Sequence, residues 1–205
     1  MKYTVKDKYC FEEKIKKSTF IGNLIHIESL QQARDFIHEI NKLHPQANHN
    51  CPAYILGKNG DIPFSSDAGE PSGTAGKPIL NVLQKHELSN VCLVVTRYFG
   101  GIKLGVRGLI DAYSYIADKT IELGHKTPII DYFYYECQMS YDYYNIFLHK
   151  TQAFELEILD TIFTEYVIIK IMVSEYINND FNDFITDLQN SGKLKLLSFY
   201  EIDKV

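Results

Sequence analysis

The chain has 205 residues, 21 Lys+Arg against 26 Asp+Glu and a formal net charge of −5, a balance that excludes a protein coating nucleic acid nonspecifically through many phosphate contacts. Cys10, Cys51, Cys92 and Cys137 are widely spaced with no Cys-x-x-Cys pair, which points to reduced, structural thiols. No apolar run approaches the ~20 residues that cross a bilayer, and the amino terminus lacks the apolar core of a signal peptide, so a cytoplasmic protein without membrane attachment is expected.

In chain order, residues 9–16 and 18–27 read as strands joined at Lys17-Ser18. Residues 30–43 have helical spacing through Ala33, Phe36, Ile37 and Ile40, with Ser29 as the cap. Residues 53–56 and 62–64 then flank Lys58-Asn59-Gly60-Asp61, where Asn-Gly is a hairpin signal. A helix follows, with Pro78 suited to its first position. The strand from Val91 and a helix after Gly108 complete an α+β domain, expected as a two-layer sandwich of strands against helices.

Residues 1–125 carry 15 Lys+Arg against 13 Asp+Glu, whereas residues 126–205 carry 6 against 13. That asymmetry, with linker-like composition at residues 124–128, predicts two domains, 1–125 and 126–205. In the second, residues 132–140 read as a strand, 142–152 as a helix, 154–163 and 166–173 as paired strands, 180–189 as a helix and 194–202 as a last strand. The order β-α-β-β-α-β is the ferredoxin-like arrangement.

Seven of the twelve glycines fall in two windows, residues 67–76 (DAGEPSGTAG) and 97–108 (RYFGGIKLGVRG). A strand, a loop of small residues and a helix start present free N–H groups and the positive end of a helix dipole to an anion. Arg97, Lys103 and Arg107 add positive charge around the second loop. Two helix entrances are therefore expected to face one ligand. A P-loop requires Lys and Ser or Thr where Val106-Arg107 stands, and no Gly-x-Gly-x-x-Gly fingerprint occurs. The Gly-x-x-Gly strings at residues 73–76 and 105–108 sit in the wrong context for a KH clamp.

Residues 67–76 and 94–105, preceded by His44-Pro45-Gln46-Ala47-Asn48-His49-Asn50-Cys51, closely resemble the signature of the YigZ/IMPACT family. The likeness covers most of the first 125 residues, with two departures. Ala68 stands where the family usually has a second aspartate, and Arg107 where it usually has a small residue. The resemblance implies a first domain of ribosomal-protein-type fold and a carboxy-terminal domain similar to the last domain of the translocating elongation factor. It also implies a link to translation, since the eukaryotic branch is associated with control of initiation under stress.

The expected site comprises Arg97, Lys103 and the Gly100 and Gly101 amides for anion contact, with Glu70, Ser72 and Thr74 on the opposite wall and Tyr98 and Arg107 beside them. Of Tyr98 and Phe99, strand alternation puts one ring in the core and leaves the other partly exposed for stacking on a base. Asp67 reads as a carboxylate holding turn amides. His44 and His49 are interrupted by Pro45, which argues against a helical metal pair, and no cofactor or metal is expected. The favoured function is a translation-associated regulator that binds RNA or a ribosomal or translation component without turnover. The alternatives are an enzyme acting on a nucleotide or phosphorylated metabolite, with Glu70 or His49 as base, and a protein-interaction module docking through the acidic domain.

Overall fold

The computed structural model describes residues 2–204, with side chains described through Glu201. The chain divides into two compact units, 1–129 and 130–205. In the first, β1 (Tyr3–Val5), β2 (Tyr9–Ile15), β3 (Ser18–His26) and α1 (Leu30–Leu43) are followed by β4 (His49–Leu56) and β5 (Ile62–Ser65). Then come α2 (Gly76–Lys85), β6 (Val91–Tyr98), α3 (Gly105–Leu123) and β7 (Lys126–Pro128). Five strands form one antiparallel sheet in the order β2-β3-β6-β4-β5, and β1 pairs with β7. Residues 126–128 are thus an ordered strand of the first unit rather than a free linker, and the division falls at 129/130.

Strands β2 and β3 meet at a two-residue turn in which Lys16 and Lys17 have φ of 43° and 70°. Positive φ at both central positions is the twist-matched hairpin turn, usually filled by Asn-Gly. Ser29 caps α1 by accepting the Gln32 amide at 3.2 Å. The central strand β6 has its first seven residues buried. Val91, Leu93 and Val95 belong to the core formed with Ile79, Leu83 and Tyr113 of α2 and α3, whereas Cys92 and Val94 pack with Ala33, Phe36 and Ile40 of α1. Within the expected α+β class, helices therefore cover both faces of the sheet. An uninterrupted apolar strand is the mark of burial on both sides, at roughly 1.5–3 kcal/mol per large aliphatic side chain.

The second unit runs β8 (Ile130–Met139), α4 (Tyr141–Thr151), β9 (Leu156–Phe163), β10 (Val167–Ser174), α5 (Glu175–Asn190) and β11 (Leu194–Lys204). Its antiparallel sheet has the order β11-β8-β10-β9. This is the ferredoxin-like β-α-β-β-α-β unit. Tyr135, Cys137, Ile169 and Ile171 alternate inward against Phe147, Phe181 and Ile185 of the two helices.

Candidate functional site

The first glycine-rich segment, between β5 and α2, is organised by one carboxylate. Asp67 Oδ1 accepts the amides of Ala75 (3.0 Å) and Gly76 (2.9 Å), and Oδ2 accepts that of Gly73 (2.8 Å). Burial alone would raise this carboxyl, but the three amides together outweigh it and hold Asp67 below the usual carboxylate value. Thr74 is buried and donates to the Pro71 carbonyl at 2.7 Å, while Ser72 is exposed. Neither hydroxyl lines the cleft described below. The α2 start is consumed in the same way: the helix begins at Gly76, so Pro78 occupies its third position rather than its first.

The closed loop delivers Glu70 into the interior. Only 8% exposed, Glu70 Oε1 accepts Arg97 Nη1 at 2.7 Å and the Tyr113 hydroxyl at 2.8 Å. Arg97 is 5% exposed and lies between two rings, its guanidinium carbon 5.5 Å from the Phe20 centroid and 5.4 Å from that of Phe99. Arg97 is thus a buried, ion-paired and ring-stacked cation, and not a mobile one at the sheet edge. Its Nε–H is buried without a partner. Behind this pair, Cys51 donates to the Asp67 carbonyl at 3.1 Å and to the Tyr113 hydroxyl at 3.5 Å. Burial pushes the Cys51 thiol up to about 12 and raises the Tyr113 hydroxyl further, so both stay protonated donors.

The second segment, residues 99–104, is pinned at one end and open at the other. A Cβ on Gly100 would overlap the Lys17 carbonyl of the β2–β3 turn, and the Gly100 amide donates to Ser18 Oγ at 3.2 Å. Asn48 Oδ1 takes the Phe99 amide at 2.8 Å. Gly101, with φ of 86°, has open space around it. Tyr98 is half-buried and shares a 2.9 Å hydrogen bond with His44 Nδ1, leaving Phe99 as the exposed ring, 44% accessible. α3 begins at Gly105, earlier than Gly108, with Leu104 at its cap and no side chain bonded to its first amides. Arg107 is exposed and pairs with Asp111 one turn on, at 3.1 Å.

Between the segments lies a cleft of about 460 Å³. Its polar lining is Asn48, His49, Glu70, Arg97 and Lys103; its apolar lining is Pro71, Phe99, Leu104, Val106 and Leu109, with Gly105 at the helix entrance. Of the nine expected site residues, the structure brings together Glu70, Arg97 and Lys103 in this lining. Tyr98, Gly100, Ser72, Thr74, Gly101 and Arg107 lie outside it. Asn48 and the aliphatic wall carried no signal beyond apolarity and loop position. The exposed Lys16 and Lys17 are carried beside the second segment by the close approach at Gly100. Among the described residues no cluster of three or more His, Cys, Asp or Glu could hold a metal, and no helix is long and apolar enough to cross a membrane. The second unit has its own cleft, about 550 Å³, with Tyr143, Tyr166, Lys193 and Lys195 in its lining.

Fold and site together define a two-unit α+β protein in which an antiparallel sheet, clothed by helices on both faces, carries a loop-built cleft. The Impact N-terminal domain family matches residues 16–121, which contain every residue of that cleft. An IMPACT family member from Haemophilus influenzae is 36% identical over 187 residues, covering 90% of each chain. The chain belongs to the IMPACT family. The IMPACT family member YvyE of Bacillus subtilis is 53% identical over 111 residues, a span that covers 54% of this chain and 51% of that one. A crystal structure of a hypothetical protein matches 96% of both chains at 28% identity with a TM-score of 0.60.

Proposed function

We propose that this protein is a translation-associated regulator that binds RNA or a ribosomal component through the cleft of its first unit, without turnover chemistry. The observation that carries the reading is the exposed Phe99 ring, held by the buried Arg97 beneath it and flanked by Lys103 and the uncapped start of α3. An aromatic platform beside a cation and free amides suits a base and its phosphate. Lys16 and Lys17 extend positive charge past the cleft, which suits a chain of phosphates on an otherwise acidic protein. The family resemblance supplies the link to translation.

Binding is favoured over turnover because no hydroxyl of the first glycine-rich segment reaches the cleft as a nucleophile. Glu70 Oε1 is engaged by Arg97 and Tyr113, and the loop hydroxyls Ser72 and Thr74 stand outside the cleft. The test is co-sedimentation of the full chain with ribosomal particles and filter binding to single-stranded RNA, over a salt series. Phe99→Ala and Lys103→Ala should each weaken binding, and added salt should weaken the parent. Retention of full binding by both variants would sink the reading. So would turnover of a nucleotide or phosphorylated metabolite that is lost in Glu70→Gln with affinity kept.

A further inference from the structure

At the floor of the cleft, three polar groups have capacity that the fold itself does not use. Arg97, 5% exposed, keeps a buried Nε–H with no partner. Glu70 accepts Arg97 and Tyr113 on Oε1, while Oε2 lies 3.8 Å from His49 Nε2, beyond hydrogen-bond reach. His49 Nδ1 is 3.0 Å from the Ala68 carbonyl, which can only accept, so Nδ1 carries a proton, and in that tautomer Nε2 is the acceptor of the ring. The floor therefore offers one unmatched donor and two neighbouring acceptors. An unmatched buried donor is costly, and a ligand that supplies its acceptor recovers that cost.

The walls narrow the occupant further. Phe99, Leu104 and Val106 give the lining apolar surfaces suited to a flat ring, and about 460 Å³ is in the range of a site enclosing one small ligand. Lys103 at the rim supplies a charge for an anionic substituent. Among the RNA bases, guanine presents one acceptor and two adjacent donors on its Watson–Crick edge. Adenine and cytosine offer an amino donor beside a ring-nitrogen acceptor, and uracil one N–H between two carbonyls. Adenine and cytosine can match Arg97 and only one of the two acceptors, and uracil sets its second carbonyl against the other, so guanine alone satisfies all three groups.

We propose that the cleft seats a single unpaired guanine nucleotide of single-stranded RNA, its base against Phe99 and its Watson–Crick edge on Glu70, His49 and Arg97. This rests on the RNA form of the function proposed above. A guanine inside a duplex has that edge occupied, so the RNA must be open at the recognised position. Lys103 takes the phosphate on the same nucleotide, and the neighbouring nucleotides pass outward without being read.

The test is fluorescence anisotropy of the full chain with labelled oligouridine strands that carry one central G, A, C or U, and with the G strand annealed to its complement. The G strand should bind at least about tenfold tighter than the other three, and the duplex no better than oligouridine. His49→Ala should bring the G strand down toward the affinity of the other three, and Val106→Trp, which fills the cleft from an exposed position, should weaken every strand and abolish the preference for G. Thermal unfolding of both variants establishes that they are folded. Equal affinity for the G and A strands overturns the guanine assignment, as does a G preference that survives both variants. If no strand binds but ribosomal particles do, the inference fails while the broader reading stands in its ribosomal-component form. If neither binds, both fail.

Discussion

The two glycine-rich segments have similar composition and opposite uses. Residues 67–76 turn three amides inward onto one carboxylate, Asp67, and present only Glu70 and Pro71 to the cleft. Residues 99–104 are clamped once, where Gly100 meets the β2–β3 turn, and beyond that point they leave Phe99, Ile102 and Lys103 in solvent. The difference shows that glycine density marks where backbone must approach closely or turn left-handed, not which groups a ligand will meet. One segment is a rigid mould and the other is the face it supports.

The sharpest way to break this arrangement is to unpair the charges buried between the segments. Arg97→Ala strands Glu70 and should destabilise the first unit by about 3–5 kcal/mol. Glu70→Ala should cost a similar amount, and the double variant clearly less than the sum, because one interaction is lost in all three. Urea unfolding of the four proteins measures this; additive losses would mean that the pair is not coupled as the 2.7 Å contact requires. Gly100→Ala comes next, at ~3 kcal/mol, since the new Cβ forces the Lys17 backbone aside. Gly101→Ala meets no atom but keeps a left-handed φ, so its cost should be about 1–2 kcal/mol, and a larger loss at 101 than at 100 would reverse the assignment of clamp and free end.

The inward-turned segment should be the acid-sensitive one. Asp67 is held below its ordinary value in the folded state, so the stability it contributes is present above its unfolded value and is lost as pH falls through the folded one. Asp67→Asn should lower the melting temperature at neutral pH and flatten the fall in stability on acidification; an unchanged acid limb would show that the three amide bonds do not control it. The smallest effect is expected at Ala68, which sits at φ of 44°. Ala68→Gly should stabilise by about 1 kcal/mol by removing that strain. Aspartate, the family's usual residue there, is also easier than alanine in this conformation, which makes a conformational role for that position sufficient without a metal.

Local pattern made much of the fold legible in the sequence. Strand alternation and helical spacing identify α1, β6 and the β-α-β-β-α-β order of the second unit, because burial imposes periods of 2 and 3.6 on apolar residues wherever they lie. The turn at Lys16-Lys17 was less legible, since lysine rarely holds two consecutive left-handed positions and only the register of the flanking strands enforces it. Residues 126–128 read as linker because a three-residue strand has too little pattern to show, and what makes it a strand is β1, more than a hundred residues away.

By itself, the sequence determined the α+β class, the ferredoxin-like second unit, the family, and the two segments around which the cleft is built. These follow from local periodicity and from an ordered string of residues, neither of which depends on what the side chains meet. Only the tertiary structure decided that Arg97 is buried against Glu70, that Tyr98 turns to His44 while Phe99 faces solvent, that the Gly100 amide is spent on Ser18, and that Asn48 and His49 close the site. The physical reason is that a charge or an amide carries no mark of its partner in one dimension. Whether Arg97 meets water, an anion or a carboxylate depends on which loop the sheet brings across it.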